Sequence, residues 1–196
     1  MRNWQLTNQV AIRPILTVPD PFLRKKCKPV SVEHIADHIK QLSQDMIETM
    51  VDAQGIGLSA NQVGVDARLI VVYLGEEEQP DGPLIMINPE IDQQDQEKSV
   101  YNEGCLSVPE QYAEITRPAG IHVHWYDLNQ TMQKMYATGL MATCIQHEID
   151  HLNGKVFIDY LSPIKRNMIV RKVKKITRET SKNTHQKHND LQNISL

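Results

Sequence analysis

The feature that most constrains this chain is a five-residue run in its last third, His147-Glu148-Ile149-Asp150-His151. The run lies where Leu140, Met141, Cys144, Ile145, Ile149 and Leu152 give an apolar helical surface, and Asn153-Gly154 supplies a C-terminal stop. The pattern predicts a helix from about Gly139 to Leu152. On a helix, a four-residue spacing sets two imidazoles one above the other on one face, so both can reach one ion. Histidine is a common ligand for zinc and ferrous iron, and a glutamate beside the first histidine can stand next to the metal's water rather than on the metal. Glu148 is then the natural general base.

Two cysteines compete to be the third ligand. Cys144 lies near the same helical face, but seven residues separate it from His151. That is about 10.5 Å along the axis, too far for both to hold an ion lying between His147 and His151 without strain. Cys105 is better placed, in the segment Glu103-Gly104-Cys105-Leu106-Ser107-Val108-Pro109. Gly104 permits an unusual backbone there and Pro109 ends the segment, as suits a rigid loop presenting sulfur. Cys144 then reads as a small buried residue lining the site. Cys27, between two lysines and before Pro29, reads as structural.

The 196 residues fit one domain with one core. Hydrophobic residues at 40% and charged residues at 23% exclude a fibrous or wholly disordered chain. The three cysteines do not resemble the disulfide framework of a small secreted protein. No apolar run approaches the roughly 18 residues of a membrane span, and Met1 to Pro19 lacks the apolar core of a signal peptide. A cytoplasmic location without membrane contact is expected.

Ile35, Ile39, Leu42, Met46 and Met50 predict an amphipathic helix that ends before Gly55. Strand character follows at 68–74, 84–88, 112–116 and 121–128. Ser162-Pro163 opens a third helix that reaches about Arg178. This order of elements argues an α+β fold. The expected domain spans 1–178, with 1–14 an N-terminal extension and 179–196 a polar tail that is disordered. The third helix carries a basic block, Lys165, Arg166, Arg171, Lys172, Lys174, Lys175 and Arg178, with no acid before Glu179.

A glycine-rich stretch, Gly55-Ile56-Gly57-Leu58-Ser59-Ala60-Asn61-Gln62, has neither a Walker motif nor a dinucleotide fingerprint. Its glycines suit a backbone running beside a substrate, and Gln62 offers an uncharged donor of the kind that suits an oxyanion.

Taken in order, these three segments resemble those of the peptide deformylase family: Gly-x-Gly-Leu-Ala-Ala-x-Gln, Glu-Gly-Cys-Leu-Ser-x-Pro and Gln-His-Glu-x-Asp-His. The likeness runs from about Ile15 to Arg178. It implies antiparallel sheets packed around a central metal-binding helix, followed by a C-terminal helix. It further implies a hydrolase that removes the formyl group from the N-terminal methionine of newly made polypeptides. Carried over residue by residue, Cys105, His147 and His151 would hold one divalent metal, Fe(II) in the cell with Zn, Ni or Co accepted, and Glu148 would be general acid and base. Gln62 and the Leu106 backbone N–H would meet the oxyanion; Gly57 and Gly104 would lie along the peptide; Ile56 and Cys144 would line the methionine pocket. Glu103 and Arg117 would pair to brace the cysteine loop.

Ser59 departs from the family's usual Ala, and Thr143 and Tyr112 differ near the substrate pocket from the larger aliphatic residue and the Arg of well-known bacterial enzymes. The basic block reads either as a solvated face or as a contact for RNA phosphates, and the resemblance favours the second because some bacterial members dock on the ribosome through a C-terminal helix. A zinc metalloprotease would need a third ligand downstream, yet no His follows His151 before His185. An idle ribosome-binding relative would not need the intact Cys105, His147, Glu148, His151 and Gln62.

Overall fold

A computed structural model describes residues 10–192 except 34 and 36. The chain runs through α1 (Asp37–Asp52), β1 (Gly57–Ser59), β2 (Leu69–Val72), β3 (Leu84–Gln94), β4 (Lys98–Cys105), β5 (Val108–Pro118), β6 (Gly120–Tyr126), β7 (Met132–Thr138), α2 (Gly139–Leu152) and α3 (Pro163–Gln192). The strands make a five-stranded sheet in the order β1-β2-β3-β6-β7 and a separate hairpin, β4-β5; every pairing is antiparallel. The architecture is the expected α+β.

β2 organises the core. Leu69, Ile70, Val71 and Val72 are all 0% exposed, which requires cover on both faces of the sheet. Side chains alternate along a strand. Ile70 and Val72 accordingly pack with Met86, Ile121 and the α2 residues Ala142, Cys144 and Ile145. Leu69 and Val71 pack on the opposite side with Ile87 and the α1 residues Leu42, Met46 and Met50. The sheet is thus sandwiched between α1 and α2. A third cluster joins Val18, Val108, Ile115, Phe157 and Val173, and through the last of these α3 docks beside β5.

α2 has the expected bounds, and Gly154 at φ 75 takes the left-handed conformation of its stop. β3 outruns its expected end at residue 88 because Asn88, at φ 51, and Pro89 mark a register shift within the strand, not its end. The Asn88 side chain is held there by a two-way amide pairing with Val30, at 2.8 Å each way. β4 and β7 were not anticipated, since each interleaves charged, polar and exposed residues around few buried ones. α3 continues past Arg178 to Gln192, through most of the segment read as a tail. No Gly or Pro interrupts 164–192, and Lys175 and Glu179 form an i,i+4 pair at 3.9 Å. Residues 193–196 and most of the 1–14 extension lie outside the described residues. Of that extension, Ala11 and Arg13 are tied to α1 through Asp45 and Thr49. No helix among the described residues is long and apolar enough to cross a membrane.

Candidate metal centre

α2 presents His147, Glu148 and His151, all under 9% exposed, toward the end of β4. There the β4-β5 register shifts between Gly104, opposite Tyr112, and Cys105, opposite Val108, a local irregularity that re-aims the cysteine. The ligand atoms of Cys105, His147 and His151 lie within 4.8 Å of one another. Cys105 Sγ is 3.2 Å from His151 Nε2, and the two imidazole centroids are 5.0 Å apart. Cys144 is absent from this group; its thiol instead faces the Ile56 carbonyl at 3.5 Å.

The surroundings fit a cation. His147 Nδ1 is bonded to Glu103 Oε2 at 2.8 Å, which leaves Nε2 free to ligate. Glu103 is in turn gripped by Arg117, Nε to Oε1 at 2.5 Å and Nη2 to Oε2 at 3.0 Å, the pairing that the family resemblance implies. Burial opposes protonation of His147, yet the neighbouring Cys105 and Glu103 lift its basicity well above the ordinary value. The pocket therefore favours positive charge. Burial drives His151 the other way, well below its ordinary value, which favours the neutral imidazole. Two buried nitrogens and one half-buried sulfur suit zinc and ferrous iron equally.

Glu148 is 4% exposed, its Oε2 has no hydrogen-bond partner among the described residues, and burial pushes its carboxyl up to about 7. Gly57 makes room for it: a Cβ there would stand 2.6 Å from Glu148 Oε1 and 2.7 Å from Cys144 Sγ. Gln62 is oriented by Ser59, whose N–H and hydroxyl both reach Oε1, at 2.9 and 2.8 Å. Its Nε2 end consequently faces Ser107 Oγ at 3.1 Å and Cys105 Sγ at 3.6 Å.

A cavity of about 500 Å³ opens beside these groups, reached by Gln62, Gly104, Leu106, His147 and Glu148, with Ile56, Gly57 and Cys144 on its wall. His151 lies behind it, fully buried. The structure thus brings the metal-ligand, acid–base, oxyanion and pocket residues named from the sequence together at one place. Sequence reasoning missed Ser107, which is 0% exposed and holds the Gln62 amide, although it stands inside the Cys105 segment. It also missed Asn61, whose Nδ2 donates to the His151 carbonyl at 2.6 Å. Asp150 and Tyr160, which close the far side of Arg117, carried no recognisable signal beyond Asp150's place in the motif.

The family model for polypeptide deformylase matches residues 12–167. A peptide deformylase of Brucella suis biovar 1 (strain 1330) is 48% identical over 167 residues, 85% of this chain and 94% of that protein. One from Rhizorhabdus wittichii is 52% identical over 174 residues, 86% of this chain and 97% of its own. Among solved structures, a peptide deformylase from Legionella pneumophila superposes with a TM-score of 0.81 at 41% identity, covering 87% of this chain and 98% of the other. One from Ehrlichia chaffeensis in complex with actinonin also gives 0.81, at 44% identity over 86% and 99%. With the metal-ligand cluster, the glutamate and the amide donor inside the matched span, the chain belongs to the polypeptide deformylase family.

Proposed function

We propose that this chain hydrolyses the N-terminal formamide of newly made formyl-methionyl polypeptides, with Cys105, His147 and His151 holding one divalent metal and Glu148 moving the protons. The observation that carries the reading is the Cys-His-His cluster, its ligand atoms within 4.8 Å, on the same helix as the buried Glu148. A bound ion would supply Lewis acidity, lowering the pKa of water and drawing charge from the formyl carbonyl.

The protein's residues do the remainder. Glu148, with a carboxyl near 7, takes a proton from the attacking water close to neutral pH. Oxygen adds to the formyl carbon, and the developing oxyanion accepts hydrogen bonds from Gln62 Nε2 and the Leu106 N–H. Glu148 then returns the proton to the leaving nitrogen, the C–N bond breaks, and formate and a free N-terminus result. Ile56 and Cys144 line the methionine side chain's place, and Gly57 and Gly104 pass along the peptide. Fe(II) is the ion proposed for the cell, with Zn, Ni and Co as substitutes.

The reading extends to a cytoplasmic location and to the ribosome as partner. Val173 anchors α3 while Lys165, Arg171, Lys172, Lys174, Lys175 and Arg178 remain exposed, as a phosphate-binding face requires. Formate release from formyl-Met-Ala-Ser, with protein prepared anaerobically and loaded with Fe(II), Ni(II) or Zn(II), tests the activity. Glu148→Ala should retain metal and lose turnover; no release with any tightly bound ion would sink the reading. Joint Lys172→Glu, Lys174→Glu and Lys175→Glu substitution should abolish salt-sensitive ribosome binding and spare peptide turnover.

A further inference from the structure

Behind the metal centre, α2 has a second polar face. Cys144, His147 and Glu148 face the catalytic cavity, whereas Gln146, Ile149 and Asp150 face a second cavity of about 730 Å³. Helical spacing makes these opposite sides of one helix. A single hydrogen-bonded chain crosses between them. It begins at His147 Nδ1, passes through Glu103 Oε2 and the Arg117 guanidinium, and leaves from Arg117 Nη1 to Asp150 Oδ2 at 2.8 Å. It ends at Tyr160, whose hydroxyl donates to the same Asp150 Oδ2 at 2.8 Å.

We infer that Tyr160 is a positioning residue for the metal ligand His147, acting through Asp150, Arg117 and Glu103. The inference rests on the reading of Cys105, His147 and His151 as a metal site. Arg117 has one edge, Nε and Nη2, on both oxygens of Glu103, and that bidentate grip holds Glu103 Oε2 against the imidazole. The other nitrogen, Nη1, must be fixed for the guanidinium plane to hold its angle, and Asp150 fixes it. Asp150 keeps 15% of its side chain exposed, so without a second partner it is free to turn toward solvent. Tyr160 supplies that partner and also places its ring 5.1 Å from the Arg117 guanidinium carbon. The Tyr160 segment is itself registered on the metal centre. Phe157, in the same short helical turn Phe157–Tyr160, is 1% exposed and stacks on His147 at 6.2 Å. The turn therefore backs one face of the ligand ring and ends the chain that orients its Nδ1. Burial and the Asp150 bond push the phenol up to about 12, so it donates throughout the working pH range.

Tyr160→Phe isolates the hydroxyl, since it keeps the ring and its contact with Arg117. The measurement is affinity for Co(II) by chelator competition, together with the Co(II) d–d absorption of the loaded protein and its kcat and KM. Loss of a direct partner of a ligating histidine costs 10–100-fold in affinity; one removed through three groups, Tyr160→Phe should cost about three- to tenfold, shift the d–d bands and lower kcat with KM unchanged. Tyr136→Phe removes a matched exposed phenol from Asp95, bonded at 2.7 Å and absent from both cavities, and should move none of these. Asp150→Ala removes the acceptor that Arg117 and Tyr160 share, breaks the same chain with Tyr160 in place and should reproduce the Co(II) shift if Tyr160→Phe folds poorly. Wild-type affinity and an unchanged Co(II) spectrum in both variants would overturn the inference while leaving the metal site standing. Failure of the wild-type protein to bind Co(II) at all would overturn the metal reading and this inference with it.

Discussion

A single methyl group added at Gly57 should disable Glu148, the proposed general base, without emptying the proposed metal site. The Cβ of Gly57→Ala would lie 2.6 Å from Glu148 Oε1 and 2.7 Å from Cys144 Sγ. Ordinary contact begins near 3.4 Å, so the carboxylate or the strand must yield by about 0.8 Å. Gly57 does not occupy the left-handed region, so alanine meets no backbone penalty and the whole effect comes from that contact. Glu148 is 4% exposed, and the room open to it is the cavity it lines, so it yields by leaving its place beside Cys105 and the histidines. Overpacking of this kind costs about 1–3 kcal/mol of stability, and a displacement near 1 Å of a group that must meet a reacting atom costs on the order of 10²-fold in rate. The proposed ligands Cys105, His147 and His151 are not among the atoms struck, so metal content should stay at one ion per chain. The assay is kcat and KM on a formylated peptide, metal content by mass spectrometry, and the thermal midpoint. A kcat within twofold of wild type, in a variant that binds metal normally, would refute the argument that Gly57 exists to seat Glu148.

Gln62→Leu removes the proposed oxyanion donor and should lower kcat by about 10²–10³-fold with metal retained, as steady-state kinetics on the same peptide will show. Ser59→Ala removes one of two bonds on Gln62 Oε1, leaving the Ser59 N–H bond at 2.9 Å in place. The loss should therefore be small, roughly 1 kcal/mol of orientation or a fivefold fall in kcat, and a variant as fast as wild type would show that the backbone bond suffices. Asp45→Asn addresses stability. Burial opposes ionisation of Asp45, but hydrogen bonds from Gln41, the Ala11 N–H and Arg13 outweigh it and hold the carboxyl below its usual range. A depressed carboxyl stabilises the fold above its unfolded pKa, and that contribution is lost as pH falls through the folded one. Urea titration should find Asp45→Asn less stable at pH 7 and level with wild type well below about pH 4; a gap unchanged across that range would contradict the sign.

What could be read from the sequence was what depends on local pattern. The α2 bounds follow from apolar periodicity and the Asn153-Gly154 stop, and the ligand pair follows from helical geometry alone. Cys105 could be preferred to Cys144 by distance along one helix, without knowledge of where β4 would place it. The parts that escaped depend on contacts between distant segments. β4 and β7 are strands because of their partners: Glu103 faces Ala113 and Tyr136 faces His122, pairs separated by ten or more residues and invisible to any window along the chain. The same holds at the site. Gln62 could be picked as a donor, but the direction of its amide is set by Ser59 on one side and by Ser107, 45 residues away, on the other. The pairing of Arg117 with Glu103 is implied only by the family resemblance, and Tyr160 enters the network because a short helical turn after α2 carries it under Asp150. Identity of the reacting groups is thus a property of short motifs, and their orientation is a property of the fold. That division explains why substitutions at Gly57, Ser59 and Tyr160, none of them a ligand or an acid, should alter catalysis by moving the groups that are.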